Sequence, residues 1–273
     1  MVPRTQEARQ HRSSEARRCW RSLSVTWDPR MRRRYHRARG RKGGPRADPL
    51  ATLAWVGRSP MVGLMDPRSA EWRGHYAIVD PDHAPHGVLE TADAVLAGGC
   101  AVLQLRFKGS DDREHLALAR ALTARARAAG CPFVLNDRLD LALLAEADGL
   151  HLGQDDLPVS EARRLFAGPI GLSTHDRSQA ERAGSEGADL IGFGPVFPTV
   201  SKERPDPVVG LEELRAVCAA VDLPVVAIGG ITIERAAHAY AAGAALVAAI
   251  GAVSRAEDPR AAAAAFHAAG GTR

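Results

Sequence analysis

From Tyr76 onward the chain alternates short apolar runs with amphipathic or Ala-rich stretches of helical length, and it does so eight times. The runs are YAIV (76–79), AVLQLR (101–106), PFVLN (132–136), GLHLG (149–153), PIGLS (169–173), DLIGFG (189–194), PVVAIGG (224–230) and ALVAAIG (245–251). After them come segments that read as helices, at 88–98, 111–129, 138–147, 159–166, 177–187, 211–220, 232–242 and 259–269. Strands separated by helices cannot pair as hairpins, so they pair in parallel. Eight such units in one domain predict a closed (β/α)8 TIM barrel. An open doubly wound sheet is the weaker reading, because no G-x-G-x-x-G follows the first strand and polar residues recur at many strand ends. Local signals agree with the periodicity. Thr232 precedes IERAAHAYAAG as an N-cap, Gly243 stands where that helix should stop, and "AD" before the fourth and sixth strands marks the helix-to-strand turn.

Charge separates this region from what precedes it. Residues 1–46 carry 14 Arg and one Lys against Glu7, Glu15 and Asp28, a surplus of twelve positive charges, while the remaining 227 residues carry 21 basic and 29 acidic side chains. The N-terminal stretch shows no sustained hydrophobic period. The sequence therefore predicts a basic, disordered extension over 1–72, or a start placed too far upstream, with Met61 and Met65 as the alternatives. The barrel domain is expected over 73–271. The Arg-rich stretch also fits a nucleic-acid-binding arm or, less well, an organellar transit peptide. No secretory apolar region follows the arginines, and LATLAWVG is too short to cross a bilayer. Cys19, Cys100, Cys131 and Cys218 form no C-x-x-C pair, so reduced thiols in a cytoplasmic protein are expected.

In a barrel of this kind the reactive groups stand at the C-terminal ends of the strands. The second strand ends in QLRFK, and period two puts Gln104, Arg106 and Lys108 on one side. The third ends in NDR, the fourth in HLGQDD, the fifth in LSTH and the sixth in GPVFPTVSK. Asp137 and Asp156 are separated by one complete β-α-β unit, which returns them to the same rim on neighbouring strands. Two carboxylates with room for water and phosphate suit Mg2+. Either Asp alone would more simply be a cap or a surface charge; the pair beside Arg106, Lys108 and Lys202 points to a metal and an anionic substrate. The seventh and eighth strands end in AIGGIT and AAIGAVS, where barrels bind phosphate through backbone N–H groups. His151 and His175 are expected near the mouth in hydrogen-bonded orienting roles, and His83, His86, His115, His238 and His267 at the surface.

These motifs, in this order, resemble the thiamine-phosphate synthase family over about residues 74–269, leaving the basic stretch unmatched. The resemblance implies a transferase that joins 4-amino-2-methyl-5-(diphosphooxymethyl)pyrimidine to 4-methyl-5-(2-phosphooxyethyl)thiazole, releasing diphosphate. It implies that Gln104, Arg106, Lys108, Asn136 and Lys202 bind the pyrimidine diphosphate, with Arg106, Lys108, Lys202 and Ser173 in catalysis. Asp137 and Asp156 match the Mg2+ ligands. Ser173 matches a pyrimidine-site residue with His151 in support. Thr199 and Ser201, with the backbone at Gly230, Ile250 and Gly251, match the thiazole phosphate site. Three positions depart from the family's habit: Phe107 stands where an acid is usual, Gly251 where Ser is usual, and Ser201 where Thr is common. Two other readings compete. One is the sister thiazole tautomerase, which needs no diphosphate and for which His175 could shuttle a proton. The other is a non-catalytic anion-binding barrel with a nucleic-acid-binding arm, supported only by residues 1–46. The expected partners are small molecules, with no membrane and no nucleic acid; a homo-oligomer stays open.

Overall fold

Eight short strands close on themselves in chain order in the computed structural model, which describes residues 72–199 and 206–270. They are β1 (Gly74–Val79), β2 (Val102–Leu105), β3 (Phe133–Asn136), β4 (Gly149–Leu152), β5 (Ile170–Thr174), β6 (Leu190–Phe193), β7 (Val225–Ile228) and β8 (Leu246–Ala249). Every neighbouring pair is parallel, and β8 closes on β1 with Tyr76 opposite Ala248. The helices are α1 (Val88–Gly98), α2 (Asp112–Ala128), α3 (Leu139–Leu144), α4 (Val159–Ala162), α5 (Arg177–Glu186), α6 (Gly210–Ala220), α7 (Ile233–Ala241), α8 (Gly251–Ser254) and α9 (Pro259–Ala269). This is the expected (β/α)8 barrel. The chain divides into two units, Met1–Gly57 and Arg58–Arg273; the first, with most of the expected extension, lies outside the described residues.

Alternation along the strands sorts side chains into two layers. Leu103, Leu105 and Phe107 point outward and pack with Leu122, Ala126 and the other inward faces of the helices. Val102 points inward with Tyr76, Ile78, Val134, Val226 and Leu246, filling the barrel below the mouth. Trp72, at the residue where the extension was expected to end, joins this inner cluster and is 1% exposed. It therefore packs with the barrel.

Side-chain caps set the helix starts. Asp111 accepts from the N–H groups of Arg113 and Glu114, Asp176 from Gln179, Thr232 from Arg235 and Asp258 from Ala261, each cap contributing about 1 kcal/mol. The recurrent "AD" has a second use at the far end of the barrel from the mouth. Asp148 accepts from the N–H of Phe133, and Asp189 from that of Ile170 while pairing with Arg163. Each carboxylate thus satisfies the first N–H of the neighbouring strand.

The structure corrects several details. The helices expected at 138–147 and 159–166 are shorter. The first stops because Glu146 turns left-handed (φ 54°) and Ala147 N–H reaches back to Ala142, closing the end as such residues do. His115 is buried rather than at the surface, 2% exposed, and stacks on Phe107 with ring centroids 4.6 Å apart. That contact gives the apolar Phe107 its place in the outer layer. Cys100 and Cys131, far apart in sequence, sit 3.6 Å apart Sγ to Sγ as free thiols, because one β-α-β unit returns the chain to the same end of the barrel. No helix among the described residues is long and apolar enough to cross a membrane.

Candidate active site at the barrel mouth

A cavity of about 780 Å3 opens at the C-terminal ends of the strands. Its walls hold Gln104, Arg106, Lys108, Asn136, Asp137, Asp156, Ser173, Thr199, Gly230, Ile250 and Gly251. Eleven of the expected site residues are thus brought together from seven βα units. His151 stands behind the wall, and Ser201 and Lys202 lie outside the described residues.

Strand geometry accounts for the first group. Gln104 continues the inward series of Val102 and is held between neighbours, accepting from Tyr76 Oη at 2.7 Å and donating to Asn136 Oδ1 at 3.4 Å. Burial pushes the Tyr76 hydroxyl far above its ordinary range, so it stays a donor. Arg106 pairs with Asp80, a fully buried carboxylate at the end of β1 that also accepts from the N–H of Asp82 at 2.9 Å. Asp80 fixes the direction of the guanidinium, and the motif reading did not single it out. Its signal was present in YAIVD, a polar residue directly after the first strand.

The carboxylate pair is built with backbone strain. Asp137 has φ 64°, and the N–H of Arg138 bonds to Asn136 O across it at 2.8 Å, a γ-turn. Asp137 N–H also donates to His151 O at 2.7 Å. Strained non-glycine residues of this kind persist where the surroundings hold them for a purpose. The Asp137 carboxylate lies against Lys108 Nζ. Asp156 accepts from Gly153 N–H at 2.7 Å. Its carboxyl is held above the usual carboxylate range, first by burial and then by the hydrogen bond and like charge of Asp137. Two carboxylates this close share either a proton or a cation. Among the described residues no group of three or more His, Cys, Asp or Glu could hold a metal. Two carboxylate groups at a cavity wall are a donor set of the kind that Mg2+ accepts, with water and phosphate completing its oxygen shell.

Across the mouth, Ser173 Oγ lies 2.9 Å from His151 Nε2. The imidazole has room because Gly171 and Gly192 face it; a Cβ at Gly171 would come within 2.4 Å of His151 Nδ1. Gln154 donates to Ser173 O at 2.6 Å, fixing the same segment. His175 is hydrogen-bonded, with Nδ1 2.7 Å from Gly194 O and its backbone N–H donating to Gln179 Oε1.

The remaining wall is glycine. Gly229 and Gly230 have φ of 94° and 62°, and a Cβ on Gly230 would sit 2.4 Å from Pro198 O. Here only glycine lets the backbone turn and line the cavity this closely. Two cations escaped the motif reading. Arg235 donates to Gly230 O at 2.7 Å and lies over the Phe197 ring, and Arg255 folds over Gly251. Arg235 comes from α7 and Arg255 directly follows α8, after the glycine motifs, where an Arg looks like an ordinary surface residue.

The family model described as thiamine monophosphate synthase matches residues 75–253. The chain belongs to the thiamine monophosphate synthase family. It is 47% identical over 189 residues to a thiamine-phosphate synthase of Chlorobium luteolum, covering 68% of this chain and 87% of the relative. A thiamine-phosphate synthase of Moorella thermoacetica is 48% identical over 178 residues, covering 64% and 84%. Among solved structures, thiamine phosphate pyrophosphorylase from Pyrococcus furiosus superposes with a TM-score of 0.67 at 33% identity, over 72% of this chain and 96% of that one. As a member of the thiamine monophosphate synthase family the chain is a transferase, and the family model reaches from β1 to the end of β8.

Proposed function

We propose that this mouth couples 4-amino-2-methyl-5-(diphosphooxymethyl)pyrimidine to 4-methyl-5-(2-phosphooxyethyl)thiazole, giving thiamine phosphate and diphosphate with Mg2+ held by Asp137 and Asp156. The observation that carries the reading is one cavity with a cation-flanked carboxylate pair on one wall and a glycine cradle on the other. A diphosphate and a monophosphate need such different receptors.

The reaction breaks the bond from methylene carbon to diphosphate oxygen and forms a bond from that carbon to the thiazole nitrogen. Both electrons of the broken bond leave with diphosphate, and the nitrogen lone pair makes the new one. No protein nucleophile and no proton transfer are needed. Bound Mg2+ would supply charge neutralisation for the diphosphate oxygens. The chain's own part is electrostatic and geometric. Arg106, aimed by Asp80, together with Lys108 and Lys202, receives the growing charge, in the way preorganised cations lower such barriers. Gln104, Asn136 and Ser173, the last set by His151, hold the pyrimidine so that its methylene faces the second substrate. The glycine backbone at 229–230 and 250–251, with Thr199 and Ser201, anchors the thiazole phosphate, which brings the nitrogen close and converts a bimolecular encounter into a local one. Two phosphorylated substrates that do not cross a bilayer unaided fit a cytoplasmic setting.

The test is to incubate the purified chain with both substrates and follow thiamine phosphate and diphosphate, with Mg2+ and then with chelator. Equal release of both products, lost on chelation and restored by added Mg2+, is expected. A folded protein that makes neither product, or makes both undiminished in chelator, overturns the reading. In the first case the thiazole carboxylate phosphate of the tautomerase is the substrate to try next.

A further inference from the structure

Four described cations line the cavity: Arg106, Lys108, Arg235 and Arg255. Three are engaged. Arg106 pairs with Asp80, Lys108 with Asp137, and Arg235 donates to Gly230 O while covering Phe197. The Arg255 guanidinium has no hydrogen-bond or ion-pair partner among the described residues. Its position is nevertheless specified. The Arg255 N–H donates to Gly251 O at 3.2 Å, which ends the single turn of α8. The side chain then folds back over Gly251 so closely that a Cβ there would lie 2.2 Å from Arg255 Nη2 and 2.7 Å from Cζ. The missing side chain at 251 is the slot that the guanidinium fills. Ile250, Gly251, Ala252 and Gly230 line the same cavity.

The Arg255 guanidinium is exposed on the cavity wall and is therefore open to an anion bound there. Its planar fork matches two phosphate oxygens at once, which an ammonium or a hydroxyl cannot do. We infer that Arg255 is a binding residue for the monophosphate-bearing substrate, reaching over Gly251 to grip the phosphate oxygens that the glycine backbone cradles. The inference rests on the proposed coupling of a thiazole phosphate at this wall and adds a charged side chain to a site otherwise made of backbone and the hydroxyls of Thr199 and Ser201. Gly251 and Arg255 then act as a pair, because a side chain at 251 would displace the guanidinium.

Steady-state kinetics on the full-length chain decides the matter. Arg255→Ala should raise KM for the thiazole phosphate by about tenfold or more, the usual worth of a charge-assisted hydrogen bond. KM for the pyrimidine diphosphate and kcat at saturation should stay within about twofold, because the lost interaction is uniform binding of one substrate. Arg255→Lys should recover part of the loss. Gly251→Ser in the Arg255→Ala background should also recover part, by placing a hydroxyl in the vacated slot. Calorimetry gives a readout apart from turnover: wild type should prefer the thiazole phosphate over the unphosphorylated thiazole alcohol, and Arg255→Ala should lose most of that preference. An unchanged thiazole phosphate KM in Arg255→Ala, or equal rises in both substrates' KM, overturns the inference while leaving the coupling reaction intact. A wild-type protein that makes no thiamine phosphate overturns the coupling reading instead. Calorimetry of wild type and Arg255→Ala with inorganic phosphate then still decides Arg255, equal affinities counting against it.

Discussion

Asp137 concentrates the residue-scale argument. It combines a left-handed φ of 64°, a γ-turn, a carboxylate against Lys108 and an upward push on the pKa of Asp156. A residue whose only task was to cap a helix would need none of this. Asp137→Asn keeps the shape and tolerates the left-handed backbone, whereas Asp137→Ala adds about 1 kcal/mol of strain. Both variants should lose Mg2+-dependent turnover by about a hundredfold, the upper range for damage to a metal's surroundings, while circular dichroism and melting show the barrel retained. Near-normal turnover in Asp137→Asn would remove Asp137 from the metal site. Several of these residues could be read before any fold was known. Asp137, Asp156, Gln104 and Arg106 announce themselves as polar residues at the ends of apolar runs. Asp80 does so only faintly, and Arg235 and Arg255 do not, because nothing in an Arg on or just after a helix tells whether it meets a cavity.

At the scale of elements, β1 and α9 carry a pH liability that lies outside the mouth. His75 in β1 is fully buried, stacks on Phe266 of α9 at 5.1 Å, and leaves both ring nitrogens without a hydrogen-bond partner among the described residues. Burial, with a smaller contribution from His267, pushes its pKa down to about 3. The folded state therefore holds His75 neutral, while the unfolded chain protonates it near its ordinary value. Its contribution to stability is complete above about pH 6.5 and is lost as pH falls toward 3, at up to about 1.4 kcal/mol per pH unit. Urea unfolding at pH 7 and pH 5 should show a drop that is largely absent in His75→Leu; an equal drop in both proteins would assign the acid sensitivity elsewhere. The elements themselves were largely legible. Val88–Gly98 and Pro259–Ala269 end where the hydrophobic pattern ends. The short α8 and the truncated α3 were not, because a single turn has no period to detect and a helix stop made by Glu146 carries no glycine to announce it.

For the whole molecule, the opposed charges of the first 46 residues and the rest argue for two parts with separate tasks. The chemistry proposed above draws every named group from residue 80 onward. A protein comprising residues 65–273 should keep the kcat/KM of the full chain and its melting temperature; a large loss would give the basic stretch a part in the function. Sequence alone was enough for the alternation of eight strands and helices, and with it the barrel, the rim and the carboxylate pair, because side-chain period and strand ends are local properties that topology merely repeats. Tertiary structure was needed for which groups face one another. Asp80 under Arg106, His151 in the space left by Gly171 and Gly192, and Arg255 in the slot over Gly251 all depend on the curvature that closes β8 against β1. That curvature sets distances between residues far apart in the chain, and distances of that kind leave no mark on any short stretch of sequence.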